Sequence, residues 1–305
     1  GYSPMARQIL EDFGHVDDGP LDRTSLIREV DKYHVLIVRL AHMIDAEIIE
    51  AAKNLKYIVT ATTGLNHINI KKAQEHDVTV LSLKGERDFL DRVYATAEHT
   101  WALLLALIRK VPQAHQHVLK GGWNRDLFRG YELHGRTLGV VGMGRLGTKV
   151  AGYGLAFGME VLGNDTDAAQ TSPEGVKMTA IEQLLEKSDI VSVHVDLKPE
   201  TEAMFGEEQF GLMKKGALFI NTSRGELVDE KALLKNLKNG HIGGAALDVL
   251  CGEYSEWSES APLLDYAKKS SNVIITPHIG GCTFDSMEKT EIFMAEKLAK
   301  NISSS

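Results

Sequence analysis

A strand that runs straight into three spaced glycines and then into a helix constrains this 305-residue chain more than any other feature. The apolar run TLGVV (residues 137–141) is followed at once by Gly142-Met143-Gly144-Arg145-Leu146-Gly147, and TKVAGYGLAF then carries a helical pattern. Each glycine has a separate task in such a turn. Gly142 permits the tight reversal, Gly144 lets the backbone approach a ligand, and Gly147 lets helix and strand pack closely. Free N–H groups at the start of the helix, aided by its dipole, then attract phosphate.

The next strand-like run, EVLGND, ends in Asp165. An acidic side chain there accepts hydrogen bonds from both ribose hydroxyls of an adenosine and repels the extra phosphate of NADP. Thr166 and Asp167 supply no arginine to hold that phosphate. The turn and its acid together point to NAD.

Strand-length runs alternate with helical stretches over most of the chain, the pattern of a parallel sheet covered by helices. Residues 34–38, 57–59 and 78–81 read as strands, with helices at 45–53 and 70–75 between them. A long helix, ATAEHTWALLLALIRK, follows from about Tyr94 and is expected to stop at Pro112. It is apolar nearly all round and so should be buried, between domains or subunits. A second alternating block runs through TLGVVG, EVLGND, DIVSVHV, GALFINTS, GGAALDVL and NVIITP, the six strands of a doubly wound nucleotide-binding domain. The last amphipathic stretch, residues 285–300, is helical and suited to packing back on the first domain. The first helical pattern (Ala6, Ile9, Leu10, Phe13) stands at the start of the chain.

Composition narrows the class. There are 34 basic and 42 acidic side chains, a net charge of −8, which argues against a broad nucleic-acid surface. The longest apolar run, residues 101–108, is far short of the roughly 20 residues that span a bilayer. With no export leader evident and only two cysteines, Cys251 and Cys282, the expectation is a soluble cytoplasmic protein with inert, buried thiols. His115 and His117 point to different helix faces, and His15, His34, His42, His76 and His99 lack clustered partners, so no metal is expected.

Three ionisable groups follow strand-like runs, where ligands gather in open α/β sheets. Arg224 follows FINTS, Glu253 lies beyond ALDVL, and His278 sits behind Pro277 and before two glycines. Singly, each has a plain alternative: a solvated loop charge for Arg224, an acidic stretch with Glu256 and Glu259 for Glu253, a capped loop histidine for His278. Beside one nucleotide fold they match hydride chemistry on a 2-keto acid. An imidazole titrates near neutrality and suits the proton transfer. A carboxylate beside it fixes the ring tautomer and favours the protonated form. A guanidinium fork grips a carboxylate and polarises a carbonyl.

Taken together, TLGVVGMGRLG, INTSRGELVDEKALL, GGAALDV and NVIITPHIGG resemble the D-isomer-specific 2-hydroxyacid dehydrogenases, over nearly the whole chain. The resemblance implies two Rossmann-like, doubly wound parallel-sheet domains with the active-site cleft between them. Residues 1–92, completed by a C-terminal helix within 281–305, would bind substrate, and residues 93–280 would bind NAD. It implies Arg224 for substrate carboxylate and carbonyl, and His278 as acid/base paired with Glu253. Arg145 and Leu146 would offer backbone to the pyrophosphate, Asp165 would hold the ribose, Thr222 and Thr96 would line the cofactor, and Asp248 would meet the nicotinamide carboxamide. Thr63 and Gly64 resemble the loop whose amides hold the substrate carboxylate. Arg39 matches the place where phosphoglycerate dehydrogenases put an arginine near the substrate phosphate. A homodimer is implied as well.

The departures bear on substrate. Asn66-His67 stands where the family has Asp-Asn, and Asp196 and Tyr254 replace two usual prolines. The segment KGERDFLDR, residues 84–92, is longer than expected, with Lys84, Arg87 and Arg92 available to an anionic substrate or simply to solvent. The expected substrate is a small 2-hydroxy acid such as 3-phosphoglycerate, with hydroxypyruvate or glyoxylate reduction as the alternative within the family. An NAD-sensing binding module, like the corepressors that resemble this family, is the alternative outside enzymology.

Overall fold

Every described strand pairs in parallel with its neighbours. Parallel neighbours need a crossover between them, which puts helices on the faces of the sheet. A computed structural model describes residues 2–19, 21–167, 172–253 and 261–303. Tyr254, Glu256 and Glu259 therefore lie outside the described residues. Two compact units emerge, one containing residues 2–93 and 282–303, the other residues 94–253 and 261–281.

The first unit holds β1 (Val35–Val38), β2 (Tyr57–Thr60) and β3 (Thr79–Leu81), in that spatial order. These are the runs expected from sequence, to within a residue at each end. The crossovers are the helices Ala46–Ala51 and Ile70–Glu75, opened by Asp45 and Asn69, whose side chains accept the amides of Ile48 and Lys72. Successive strand residues face opposite sides. Ile58 joins Ile44, Ile48 and Ile49 on one face. On the other, Val59 and Leu81 meet Ala6 and Leu10 of the helix Pro4–Glu11 and Met294 and Leu298 of the helix Phe284–Ser303. The amphipathic C-terminal stretch thus packs within the first unit. Part of the charged segment 84–92 is anchored there too. A short helix, Arg87–Leu90, buries Leu90 and stacks Phe89 on Phe293, while Lys297 pairs with Glu86 at 2.6 Å. Lys84, Arg87 and Arg92 remain exposed.

The second unit holds β4 (Thr137–Val141), β5 (Glu160–Asn164), β6 (Val176–Met178), β7 (Ile190–Val193), β8 (Ala217–Asn221), β9 (Ile242–Leu247) and β10 (Val273–Ile275). Their order is β10-β9-β8-β7-β4-β5-β6. The chain moves outward from β4 through β5 to β6, then returns to β7 on the other side. The direction therefore reverses between β4 and β7, and a crevice opens at the carboxyl ends of the strands where it does. Six of these strands match the apolar runs. The seventh, β6, is a three-residue edge strand whose Lys177 and Met178 are exposed, so it carries no apolar signature.

Helices cover both faces of this sheet. Phe205, Phe210 and Phe219 cluster on one, with ring centroids 5.1 to 6.2 Å apart. On the other, Trp101 and Leu104 of the helix Ala95–Ile108 pack with Leu138 and Val150. That helix ends at Ile108, not at Pro112. The chain turns through Lys110 at φ +54°, and Pro112 sits in the first turn of the helix Val111–Leu119, where no amide is missed. Among the described residues no helix is long and apolar enough to cross a membrane.

Candidate active site

The glycine turn follows β4 at the reversal point. Gly142 has φ +91°, and a Cβ on it would lie 2.4 Å from the carbonyl oxygen of His194. A Cβ on Gly147 would stand 1.8 Å from the Gly142 carbonyl oxygen, so the start of the helix Arg145–Ala156 presses directly on the turn. A Cβ on Gly144 would meet nothing within 4 Å. The first and third glycines thus serve the fold, while the middle one fronts open space. Arg145 and Leu146 are the first two helical residues, where amides lack intrahelical partners.

Asp165 closes this cradle. Its Oδ2 accepts the amide of Met143 at 2.7 Å, and its Oδ1 accepts that of Asp167 at 2.9 Å. Beside it, the ring Nε2 of His194 is 2.8 Å from Ser192 Oγ. Its Nδ1 is covered and has no hydrogen-bond partner among the described residues. Burial pulls the His194 imidazole down to about 4, so it is neutral at physiological pH. An open space over a bare glycine, the backbone amides of a helix start and an acid just past the neighbouring strand fit a dinucleotide with phosphates and a ribose.

The second cluster lies where β8, β9 and β10 end. Asp248, directly after β9, is 1% exposed. Its Oδ1 accepts from Thr276 Oγ1 at 2.5 Å, His99 Nε2 at 3.1 Å and the Ile279 amide at 2.9 Å, and its Oδ2 accepts the Gly280 amide at 2.7 Å. Burial pushes this carboxyl up, but the donors outweigh it, and the group sits below the usual carboxylate range. His99, expected to lack partners, is therefore part of the cluster, brought in by the buried helix Ala95–Ile108. Thr96, one turn earlier, packs on Gly280 as that acid does: a Cβ on Gly280 would be 2.9 Å from Asp248 Oδ2 and 3.2 Å from Thr96 Cγ2. Thr222, after β8, is buried with its hydroxyl 2.8 Å from that of Thr100.

His278 follows β10. It adopts φ +53°, its amide donates to the Asp248 carbonyl oxygen at 2.8 Å, and its Nδ1 is 2.5 Å from Glu253 Oε1. The other Glu253 oxygen accepts the Leu250 amide at 3.3 Å. Arg224 follows β8, with Nη1 donating to the Ser223 carbonyl at 2.6 Å and its own carbonyl accepting from Asn221 Nδ2 at 2.8 Å. The next residue, Gly225, packs on the Leu250–Cys251 peptide so closely that a Cβ would lie 2.0 Å from it. The Arg224 loop and the Glu253 turn thus abut, and Arg224, Glu253 and His278 all follow the carboxyl ends of neighbouring strands.

The remaining expected residues lie in the first unit. Thr63 and Gly64 follow β2, in a loop where Thr62 Oγ1 donates to the Gly64 carbonyl at 2.8 Å. His67 is buried, with Nε2 3.3 Å from Thr60 Oγ1. Arg39 follows β1 and forms an ion pair with the buried Glu291, whose other oxygen accepts the Ser3 amide at 2.6 Å. The thiols differ from expectation: Cys251 and Cys282 are both exposed. The amide of Cys251 is fastened inward, and Cys282 sits just before a helix with Sγ 3.6 Å from Met287 Sδ. No group of three or more metal-ligating side chains occurs among the described residues.

Comparison with known proteins points to one family. Residues 101–280 match the family model described as D-isomer specific 2-hydroxyacid dehydrogenase, NAD binding domain. The D-3-phosphoglycerate dehydrogenase of Archaeoglobus fulgidus is 40% identical over 280 residues, covering 91% of this chain and 51% of that protein. This chain thus spans about half the length of that relative. The glyoxylate reductase of Korarchaeum cryptofilum is 37% identical over 292 residues, covering 94% of this chain and 83% of its own. Among solved structures, D-lactate dehydrogenase from Aquifex aeolicus, complexed with NAD and lactic acid, superposes with a TM-score of 0.81 at 29% identity, covering 99% of this chain and 92% of that one.

Proposed function

The chain belongs to the D-isomer-specific 2-hydroxyacid dehydrogenase family, and from that premise we propose that it interconverts a D-2-hydroxy acid and its 2-keto acid with NAD. The observation that carries the reading is the Glu253–His278 pair, on the carboxyl side of a sheet whose reversal point bears the glycine turn. NAD would be held by the glycine turn and Asp165, and would supply hydride exchange with the keto carbon of the substrate. His278 donates a proton to the carbonyl oxygen during reduction and removes it from the hydroxyl during oxidation. Nδ1 is held by Glu253, and the proton transfer is assigned to the other ring nitrogen, Nε2. Glu253 stabilises the imidazolium and keeps the ring turned to its task. Arg224 grips the substrate carboxylate and polarises the carbonyl with its fixed, charged fork. The family resemblance assigns Thr63 and Gly64 to substrate binding, with the first unit as the substrate-binding domain.

Substrate choice turns on Arg39. A phosphorylated acid such as 3-phosphoglycerate requires this guanidinium, and its pairing with Glu291 competes with that use. The pairing favours a small unphosphorylated keto acid, glyoxylate or hydroxypyruvate, as the second reading. Turnover with NADH over glyoxylate, hydroxypyruvate and 3-phosphohydroxypyruvate tests both. A clear preference for the phosphorylated acid supports the Arg39 role, and equal rates with and without phosphate remove it. NADH binding with no turnover of any keto acid would favour a sensor.

A homodimer is part of the proposal. The helices Ala95–Ile108 and Val111–Leu119 frame an apolar groove lined by Leu105, Val111, Ala114 and Val118, and Trp123 nearby is 88% exposed. Exposed thiols suit a reducing compartment, and we assign the protein to the cytoplasm.

A further inference from the structure

The turn that carries Glu253 has little regular structure of its own. It leaves β9, passes Gly252 at φ +73° and reaches Glu253 without a helix or strand to fix it. Two contacts from another segment hold it. Gly225 lies flat on the Leu250–Cys251 peptide, and Glu230 Oε1 accepts the Cys251 amide at 2.8 Å. Glu230 opens the helix Glu230–Lys238, whose Asp229 cap accepts the amides of Lys231 and Ala232. The first helical turn is thereby satisfied by Asp229, and the Glu230 side chain is directed away to the neighbouring turn. Both holding residues belong to the stretch that begins at Arg224.

We propose that Glu230 is a positioning residue for the Glu253–His278 pair, fastening the Cys251 amide so that Glu253 can reach the imidazole. The same contact ties the turn of Glu253 to the segment of Arg224, so one carboxylate keeps the proton-handling pair in register with the guanidinium. The inference rests on the reading that Glu253 and His278 handle the proton. Burial pushes the Glu230 carboxyl up, with the nearby Glu226 adding to it and the Cys251 amide opposing it. What the turn needs from Glu230 is an oxygen at that place, not a negative charge. Glutamine should therefore serve and alanine should not.

The test uses the full chain carrying Glu230→Ala or Glu230→Gln, with two readouts. The first is the downfield proton resonance of the short His278–Glu253 hydrogen bond, identified by its loss in Glu253→Gln. The second is turnover of glyoxylate with NADH. In Glu230→Ala the resonance should broaden or move upfield and kcat should fall about tenfold to a hundredfold, the scale expected when a reacting group is displaced by about an ångström. NADH affinity and melting temperature should stay near those of the parent. Glu230→Gln should restore both readouts. An undisturbed resonance in Glu230→Ala, or equal losses in the Ala and Gln variants, overturns the proposal. Should Glu230→Ala fail to fold, Glu230→Asp, too short to reach the Cys251 amide, carries the same prediction. Should the parent protein reduce no keto acid, the functional reading fails while the resonance still decides the positioning role.

Discussion

His278 is suspended from Asp248. Its amide donates to the Asp248 carbonyl oxygen at 2.8 Å, and the two amides that follow, of Ile279 and Gly280, donate to the Asp248 carboxylate. A left-handed backbone costs a residue with a side chain on the order of 1–2 kcal/mol, so His278 at φ +53° needs such anchoring. Asp248 supplies it as a buried anion, held ionised by His99, Thr276 and the two amides against the pull of burial.

Replacing the imidazole while respecting that backbone calls for His278→Asn, since asparagine tolerates positive φ better than most residues. The variant should fold and bind NADH normally while kcat falls by about 10²–10⁴. Steady-state kinetics beside a fluorescence titration with NADH would check it. Near-parental turnover would remove His278 from the proton transfer.

Arg224→Lys keeps the charge and loses the fork. Keto-acid KM should rise and kcat fall, together by at least about tenfold in kcat/KM, because an ammonium ion is a point charge where a planar pair of donors is needed. NADH binding should be unchanged. Parental kinetics in this variant would strip Arg224 of its assigned part.

Two glycines in one turn should respond in opposite ways. Gly144→Ala places its methyl in open space and should alter stability by less than about 1 kcal/mol, yet weaken NADH binding at least about tenfold. Gly147→Ala drives a methyl to within 1.8 Å of the Gly142 carbonyl oxygen and should destabilise the fold by about 1–3 kcal/mol. Thermal melts with and without NADH separate the two. Equal destabilisation in both variants would mean that Gly144 is packed, not open.

The buried imidazole of His194 makes stability depend on pH. Its folded value, about 4, lies below the ordinary 6.5, so between those limits the unfolded chain binds the extra proton. Stability is then complete above about pH 6.5 and is lost as pH falls toward 4, by up to the order of 3 kcal/mol. Urea unfolding at pH 7.5 and pH 5 measures it, and His194→Phe should flatten the difference. A loss of the same size in the variant would assign the effect to other groups.

The legible part of this molecule follows local rules. β4, β5 and β7 to β10 are short apolar runs between turns, and the glycine spacing announces a strand–turn–helix on its own. β6 escaped because its exposed edge position demands no apolar residues. The break at Lys110 escaped because the proline cue lay two residues beyond the left-handed residue that makes the turn. His99 was unreadable for a different reason. Its partner Asp248 lies on β9's exit, and only the packing of a buried helix against the sheet brings them to 3.1 Å. The same holds for Glu230 and Arg39, whose partners, the Cys251 amide and Glu291, are set by tertiary packing. The thiols differ from expectation because cysteine as a residue type favours interiors, while both positions here fall outside helices and strands.

Asp165 is already hydrogen-bonded to the Met143 amide, so the tip of one strand and the reversal after its neighbour are stapled into a single rigid jaw. A ligand entering such a jaw surrenders little affinity to ordering it. Changes at the sugar end will also be felt at the phosphate end, since unfastening Asp165 loosens the very backbone that cradles the anions. Efforts to switch the nucleotide preference by substituting this acid alone should therefore yield weak binders of both forms, and a switch that succeeds will need a new partner for the Met143 amide.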